Sequence, residues 1–445
     1  MPRAFVLSLF AGVVASAATT QSPVTFYKDV LPVLQRHCQG CHRPGEVAPM
    51  SFLDYQSTRP WAKAMKAAVL ERKMPPWLAD PHYGKFANDR RLTDADIKAL
   101  VKWSDAGAPQ GDPKDAPPPV KWLDGWNIGK PDLEFEMPNA FDVQASGTIE
   151  YQYVVIPTGF AEDRWVQMAE VRPGNRAVEH HVIAFLRPPG SKWMADAKPG
   201  VPFVPARETR RRSNTGTNGN ADPQANRQEN QDNAASFELL VGYAPGLQPW
   251  MCLPGASKLV KAGSDIVLQL HYTANGTAAT DKTKIGIIFA KGAPERRQLT
   301  MSAANAKFVL PPGDPAYEVH SQIEMRDDSE LVGLMPHMHL RGKDFLYKVV
   351  YPTGESSTLL SVPKYDFNWQ LFYFLDQPLV MPKGTRIECT AHFDNSPNNP
   401  ANPDPSKEVR WGDQSWEEMM IGWFDVTIPA HADPANLYRS KRSDD

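Results

Sequence analysis

Apolar residues follow two different periods along this chain. In residues 24–110 they recur at helical spacing: Phe26, Val30, Val33 and Leu34 share one face. A second helix-like run spans residues 61–72. Thr93 then stands as an N-cap before Asp94 and Asp96, with Ile97, Leu100 and Val101 as the apolar face and Gly107 as the stop. From about residue 132 the period shortens to that of strands separated by Pro and Gly turns. Residues 148–156, 165–171, 178–186, 265–272 and 285–289 are examples, and 330–352 reads as one longer strand run. The expected fold is multidomain, a small all-α domain followed by all-β domains of the β-sandwich or jelly-roll kind.

Composition sharpens this picture. With 445 residues there is room for about three domains. The 42 prolines favour short strands and turns over long helices. A net charge of -3, with acids and bases nearly balanced, gives no reason to expect a nucleic-acid partner. Residues 111–130 form a proline-rich linker. Residues 207–236, almost devoid of apolar side chains, read as a disordered loop. Arg3, an apolar run and Ala15-Ser16-Ala17 make residues 1–17 a signal peptide, so the mature chain is expected to be periplasmic or secreted, with no transmembrane span.

The first chemical motif is Cys38-Gln39-Gly40-Cys41-His42. Two thiols can add across haem vinyl groups while the next residue supplies an iron ligand. A redox dithiol or half a zinc site leaves that histidine unexplained, and the sequence holds no second C-x-x-C. Met74, between Lys73 and Pro75-Pro76, is the preferred sixth ligand, with Met50 and His82 as rivals and Met65 read as core. Helix, haem motif, helix, Met-Pro loop and closing helix resemble a class I cytochrome c over residues 24–110.

The β region holds the second set. In Met335-Pro336-His337-Met338-His339 the two histidines are two apart, so on a strand they project to one face. Paired imidazoles suit Cu, Zn, Fe or Ni. His180 and His181 are adjacent, so they can share an ion only where a strand ends or twists. His271 alternates with apolar neighbours and alone reads as an ordinary core-edge histidine. Met419, in Glu417-Glu418-Met419-Met420, reads as core packing or as a thioether that selects Cu(I).

Taken in order, the His-His pair, the VLQLHY stretch, H-x-H and E-E-M resemble the copper type II ascorbate-dependent monooxygenases, the peptidylglycine and dopamine hydroxylase family. The resemblance implies two jelly-roll domains, residues 131–292 and 293–430, followed by a tail at 431–445. It implies two copper ions, one on His180, His181 and His271, the other on His337, His339 and Met419, the latter being the catalytic site. Where peptidylglycine enzymes place Arg, Asn and Tyr to hold a carboxylate, this chain has Met335, Ile421 and Trp423. An apolar wall cannot compensate a desolvated carboxylate, so an apolar or aromatic small substrate is expected. Cys389 matches one family cysteine but Met420 replaces its partner, leaving Cys389 and Cys252 either paired with each other or as free buried thiols. His392 has no ligand counterpart and reads as structural or pocket-lining.

The expected function is a monooxygenase acting on a C–H bond with O2, with one covalent c-type haem relaying electrons from an external one-electron donor, an ascorbate-like reductant or a periplasmic cytochrome. The alternatives are a non-catalytic electron-transfer or copper-handling protein, and a binding module with structural metals.

Overall fold

A computed structural model describes residues 23–123, 125–205, 238–434 and 437–440; the expected signal peptide at 1–17 and the loop at 207–236 lie outside them. The chain divides into two compact units, one of residues 1–71 with 92–119, the other of residues 72–91 with 120–445. Strand accounts for 36% of the structure and helix for 12%, so the sheets set the architecture.

The first unit is built on helices Leu31–His37, Ala62–Leu70 and Asp94–Asp105. The last opens with a full capping box, Thr93 Oγ1 accepting from the Asp96 N–H at 3.1 Å while Asp96 accepts from the Thr93 N–H. Gly107 ends it with φ +81°. Phe26, Val30, Leu34, Leu100 and Trp103 meet in the core, and Met65 packs there too.

The second unit carries a nine-stranded sheet that runs through both halves of the β region. Strands Leu133–Glu136, Lys284–Phe289, Arg164–Arg172 and Ala256–Val260 lead into Arg296–Ala304, Ile421–Pro429, Ser329–His337 and Tyr373–Met381, and the short ninth strand, Trp250–Met251, pairs with Arg164–Arg172. The halves join by a short parallel contact, Ala256 with Arg296 and Ser257 with Arg297. A four-stranded sheet containing Glu179–Arg187 and Asp265–Tyr272 covers the first half, and a five-stranded sheet containing Gly342–Val350 and Arg386–Phe393 covers the second. Each half therefore has its own apolar core beneath a shared sheet.

Two features depart from the sequence pattern. The run at 330–352 is not one strand: it breaks after Ser329–His337 and resumes at Gly342–Val350, leaving His339 beyond the strand end. The segment at 72–91, helical-domain territory by sequence, belongs to the second unit. Trp77 and Ala79 are buried in the second-half core, Trp77 packs edge-on to Tyr373 with centroids 4.9 Å apart, and Asn88 Nδ2 donates to the Phe372 carbonyl at 2.7 Å. Aromatic burial of this size outweighs chain proximity.

Gly422 shows how tightly the second half is packed. It pairs with Pro336 one step from His337, and a Cβ there would lie 2.5 Å from Cys389 Sγ and 3.0 Å from the Tyr347 ring. Cys389 and Cys252 are both buried free thiols, so the alternative of a bond between them does not hold. Gly422→Ala is expected to cost about 1–3 kcal/mol of stability through overpacking, read as a lowered unfolding midpoint; an unchanged midpoint would show that Tyr347 moves aside freely.

Candidate metal centres

His180 and His181 reach one side because the strand is not regular there. In strand Glu179–Arg187, Glu179 pairs with Tyr272 and His181 with His271, and a bulge between these pairs leaves His180 as the extra residue. A bulge re-aims side chains that a flat strand would send to opposite faces. His271 stands directly across from His181 on strand Asp265–Tyr272.

The three rings converge. His181 Nδ1 lies 3.3 Å from His180 Nδ1 and 3.3 Å from His271 Nδ1, and one ligand atom from each ring lies within 4.8 Å of the others. Two nitrogens at ~2.0–2.1 Å from one ion in tetrahedral array stand ~3.3 Å apart, so this spacing fits a shared metal. Burial lowers all three pKa values, with His271 down to about 3, which leaves the nitrogens neutral with lone pairs to give. Tyr151 leans on His271 with centroids 4.6 Å apart, and its hydroxyl is buried without a hydrogen-bond partner.

The second pair sits where strand Ser329–His337 ends. The His337 and His339 rings stand at 88° with centroids 5.2 Å apart. Gln370 Oε1 contacts His337 Nδ1 at 3.0 Å, and the Glu417 carbonyl contacts His339 Nδ1 at 3.1 Å. Each contact fixes a ring through one nitrogen and leaves the other free for a metal. Both histidines are buried and held below the usual histidine pKa by desolvation. Glu418, fully buried, accepts the backbone N–H of His339 at 2.9 Å and of Arg341 at 2.6 Å. Burial raises its pKa to about 8 despite those donors and Arg341.

His337, the last residue of its strand, pairs with Ile421, the first of its own, so Met419 stands in sequence two residues before the end of that pairing. Met419 is half-buried whereas Met420 is in the core, so the two sulfurs of this pair are not equivalent.

The two clusters face one cavity of about 60 Å3, lined by His181, His337, Met335, Trp423, Phe372 and Trp250 among others. That is room for roughly four or five water-sized groups. Met335 and Trp423 are register partners and both line the cavity, so two of the three residues of the apolar wall expected from the sequence stand there, while Ile421 is not in its lining. Phe367, which the sequence gave no reason to single out, stacks on His180 at 5.4 Å and 11°, and its ring lies 6.0 Å from that of His339. Phe367, Gln370, Tyr151 and Glu418 come from distant segments; only the nearness of Glu418 to Met419 offered a sequence signal.

In the first unit, Cys38 follows helix Leu31–His37, and its carbonyl accepts the Cys41 and His42 N–H groups at 3.1 and 2.9 Å. Neither cysteine is in a disulfide, and both are half-buried. His42 stacks on Phe52 with centroids 4.4 Å apart; its Nδ1 is buried and, apart from an approach to the Met50 backbone, unpartnered. Two cysteines outside any disulfide and an adjacent imidazole on one tight turn are the residue types a covalently held haem requires. Met50 packs on this unit's own core, whereas Met74 and His82 belong to the second unit, where His82 Nδ1 is engaged by Asp80 at 2.6 Å. His392 lies between Asp344, at 2.7 Å, and Glu318, at 3.1 Å, which matches a structural role. Among the described residues no helix is long and apolar enough to cross a membrane.

Comparison with known proteins assigns nothing further. No protein-family model matches the chain, and no curated protein matches it. Among solved structures, the infectious bursal disease virus Gt strain is similar at 9% identity and TM-score 0.19, covering 70% of this chain and 76% of that one. Allantoicase from Saccharomyces cerevisiae is similar at 8% identity and TM-score 0.15, covering 57% and 79%.

His181 stands between the other two nitrogens of its cluster. His181→Ala is therefore expected to weaken any Cu(I) binding by that cluster at least 100-fold in chelator competition. A Cu(I) affinity unchanged in the variant would refute the three-nitrogen assignment.

Proposed function

We propose that this chain is an exported haem- and copper-containing monooxygenase that hydroxylates a C–H bond of a small apolar or aromatic substrate. The observation that carries the reading is that two imidazole clusters of different make-up, one of three histidines and one of two, each put a ring on the same small apolar cavity. The overall balance is one C–H bond, O2, two electrons and two protons to an alcohol and water.

His180, His181 and His271 would hold one copper, and His337, His339 and Met419 the other. Copper bound there supplies one-electron redox chemistry with O2. The chain's own residues do the rest. Gln370 and the Glu417 carbonyl orient the imidazoles of His337 and His339. Glu418 accepts the backbone N–H groups of His339 and Arg341, so the loop that carries His339 keeps its shape without a metal. Met335, Trp423 and Phe372 exclude water and favour an apolar substrate group over a charged one. The soft Met419 sulfur favours the reduced ion, while three nitrogens suit an electron-storing position.

In this reading the first unit is a c-type cytochrome domain, with haem on Cys38 and Cys41 and His42 as a ligand. Electrons from an external one-electron donor pass through this haem. The two halves of the second unit are jelly rolls joined by their common sheet.

Substrate-dependent O2 uptake by chemically reduced, copper-loaded protein tests the enzyme. Met419→His is expected to keep two coppers yet lose at least ten-fold in that uptake, and the C–O stretch of the CO-treated reduced protein should shift. Absence of uptake with every apolar and aromatic C–H donor tried, at full copper loading, would leave an electron-transfer or copper-handling protein instead. Separately, Cys38→Ser should lose covalent haem, seen as a denatured chain without haem absorbance, while copper content stays at two; loss of copper as well would contradict independent units.

A further inference from the structure

The loop Lys364–Gln370 separates two spaces. Its inner side touches both histidine clusters, through Phe367 on His180 and Gln370 on His337. It is braced from within: the Tyr365 hydroxyl donates to the Met338 carbonyl at 2.7 Å and accepts from Gln370 Nε2 at 2.8 Å, and the Trp369 N–H closes a turn on the Asp366 carbonyl at 2.9 Å. Its outer side forms one wall of a second pocket, about 350 Å3, larger than the cavity between the clusters. That volume is at the small end of the range for organic ligands.

The lining of the outer pocket is chemically specific. Three cationic side chains, Arg72, Lys73 and Lys364, stand against one carboxylate, Asp366, whose Oδ1 already accepts the N–H and the side-chain amide of Asn368. Among the described residues, Arg72 and Lys364 have no carboxylate partner. The apolar remainder includes the rings of Phe367 and Trp369. A cationic rim beside aromatic faces selects a ligand with a negative charge at one end and a flat ring at the other.

We propose that this pocket is a binding site for a small aromatic carboxylate or a similar conjugated organic anion, and that its occupant acts on His180 through Phe367. Lys364 holds the anionic end. The ring lies against Trp369 and the outer side of Phe367, which stacks on the His180 imidazole and reaches those of His339 and His271 at longer range. A shift of Phe367 is thereby a shift of a metal-ligand side chain. The site itself stands on the pocket alone, whereas its effect on His180 rests on the copper reading above.

Benzoate and its neutral isostere benzamide are suitable probes, titrated calorimetrically into the full chain. Benzoate is expected to bind at least ten-fold more tightly than benzamide. Lys364→Glu should weaken benzoate ten-fold or more, leave benzamide unchanged, and be rescued by Lys364→Arg, since charge reversal acts on the anion alone. Equal affinity for the two probes, or benzoate binding indifferent to Lys364→Glu, overturns the site, whether or not copper is present. In copper-loaded protein, saturating benzoate should shift the Cu(II) electron paramagnetic resonance signal of the wild type but not of Phe367→Leu. A wild-type signal that ignores benzoate overturns the link to His180.

Discussion

Desolvation of imidazole governs this structure. His181, His271, His337 and His339 are buried within one region, with His180 beside them, and for each of the five the largest influence on its pKa is removal from water. Protonating any of them would place an imidazolium among neighbours that carry the same charge when protonated. The rings are thus confined to the neutral form, in which one nitrogen accepts. Once that is so, each ring needs something to fix its orientation, and the surrounding polar groups do this one at a time: Gln370 for His337, a carbonyl for His339, the bulge for His180. The fold around them supplies dryness, and the individual contacts supply aim.

The shared sheet explains how two clusters from opposite halves come to face one cavity. Strands Arg296–Ala304 and Ile421–Pro429 pair over nine residues, and Ile421–Pro429 then pairs with the His337 strand. The first half attaches to the same sheet through Ala256 and Ser257. Two further segments cross from one half to the other. Gln414 Oε1 accepts the Tyr151 N–H beside the first cluster, while Glu417 and Glu418, three and four residues on, hold His339 at the second. Phe367 and Gln370 make the same crossing on another loop. Two boundaries between independent β domains would not give this; the separation between the clusters is set by covalently short bridges.

How much of this was legible in the sequence depends on how local each cause is. The capping box at Thr93 and Asp96 and the strand at 265–272 are consequences of spacing within a few residues, and each is found in the structure. The His337 and His339 rings do meet, but with His339 past the strand end rather than by alternation along one strand. The convergence of His180 with His181 was not legible, because a bulge is a mismatch between two strands and neither strand alone records it. Likewise the break after His337 depends on Glu418, about eighty residues away, accepting the N–H groups that a continued strand would have given to a neighbour. The segment at 72–91 reads as part of the helical domain because it lies within it in sequence. Its place in the second unit follows from Trp77 finding Tyr373, a pairing no local pattern contains.

The polar floor of the inner cavity limits what its apolar wall can mean. Trp250 and Thr300 line the cavity, yet their polar atoms are already spoken for: Trp250 Nε1 donates to Asp425 Oδ2 at 3.1 Å, and Thr300 donates to Asp425 Oδ1 at 2.5 Å. Behind them the fully buried Lys258 donates to Thr300 Oγ1 at 2.7 Å and sits over the Trp250 ring at 4.6 Å. A buried ammonium and a buried carboxylate are thus joined through the same two residues that face the cavity. Satisfied in this way, those residues present little unmet polarity to a ligand, and a polar substrate group pointed at them would lose water without gaining a partner. The floor therefore reinforces the selection made by Met335 and Trp423, since a cavity can reject polar ligands either by lacking polar groups or by having already committed them.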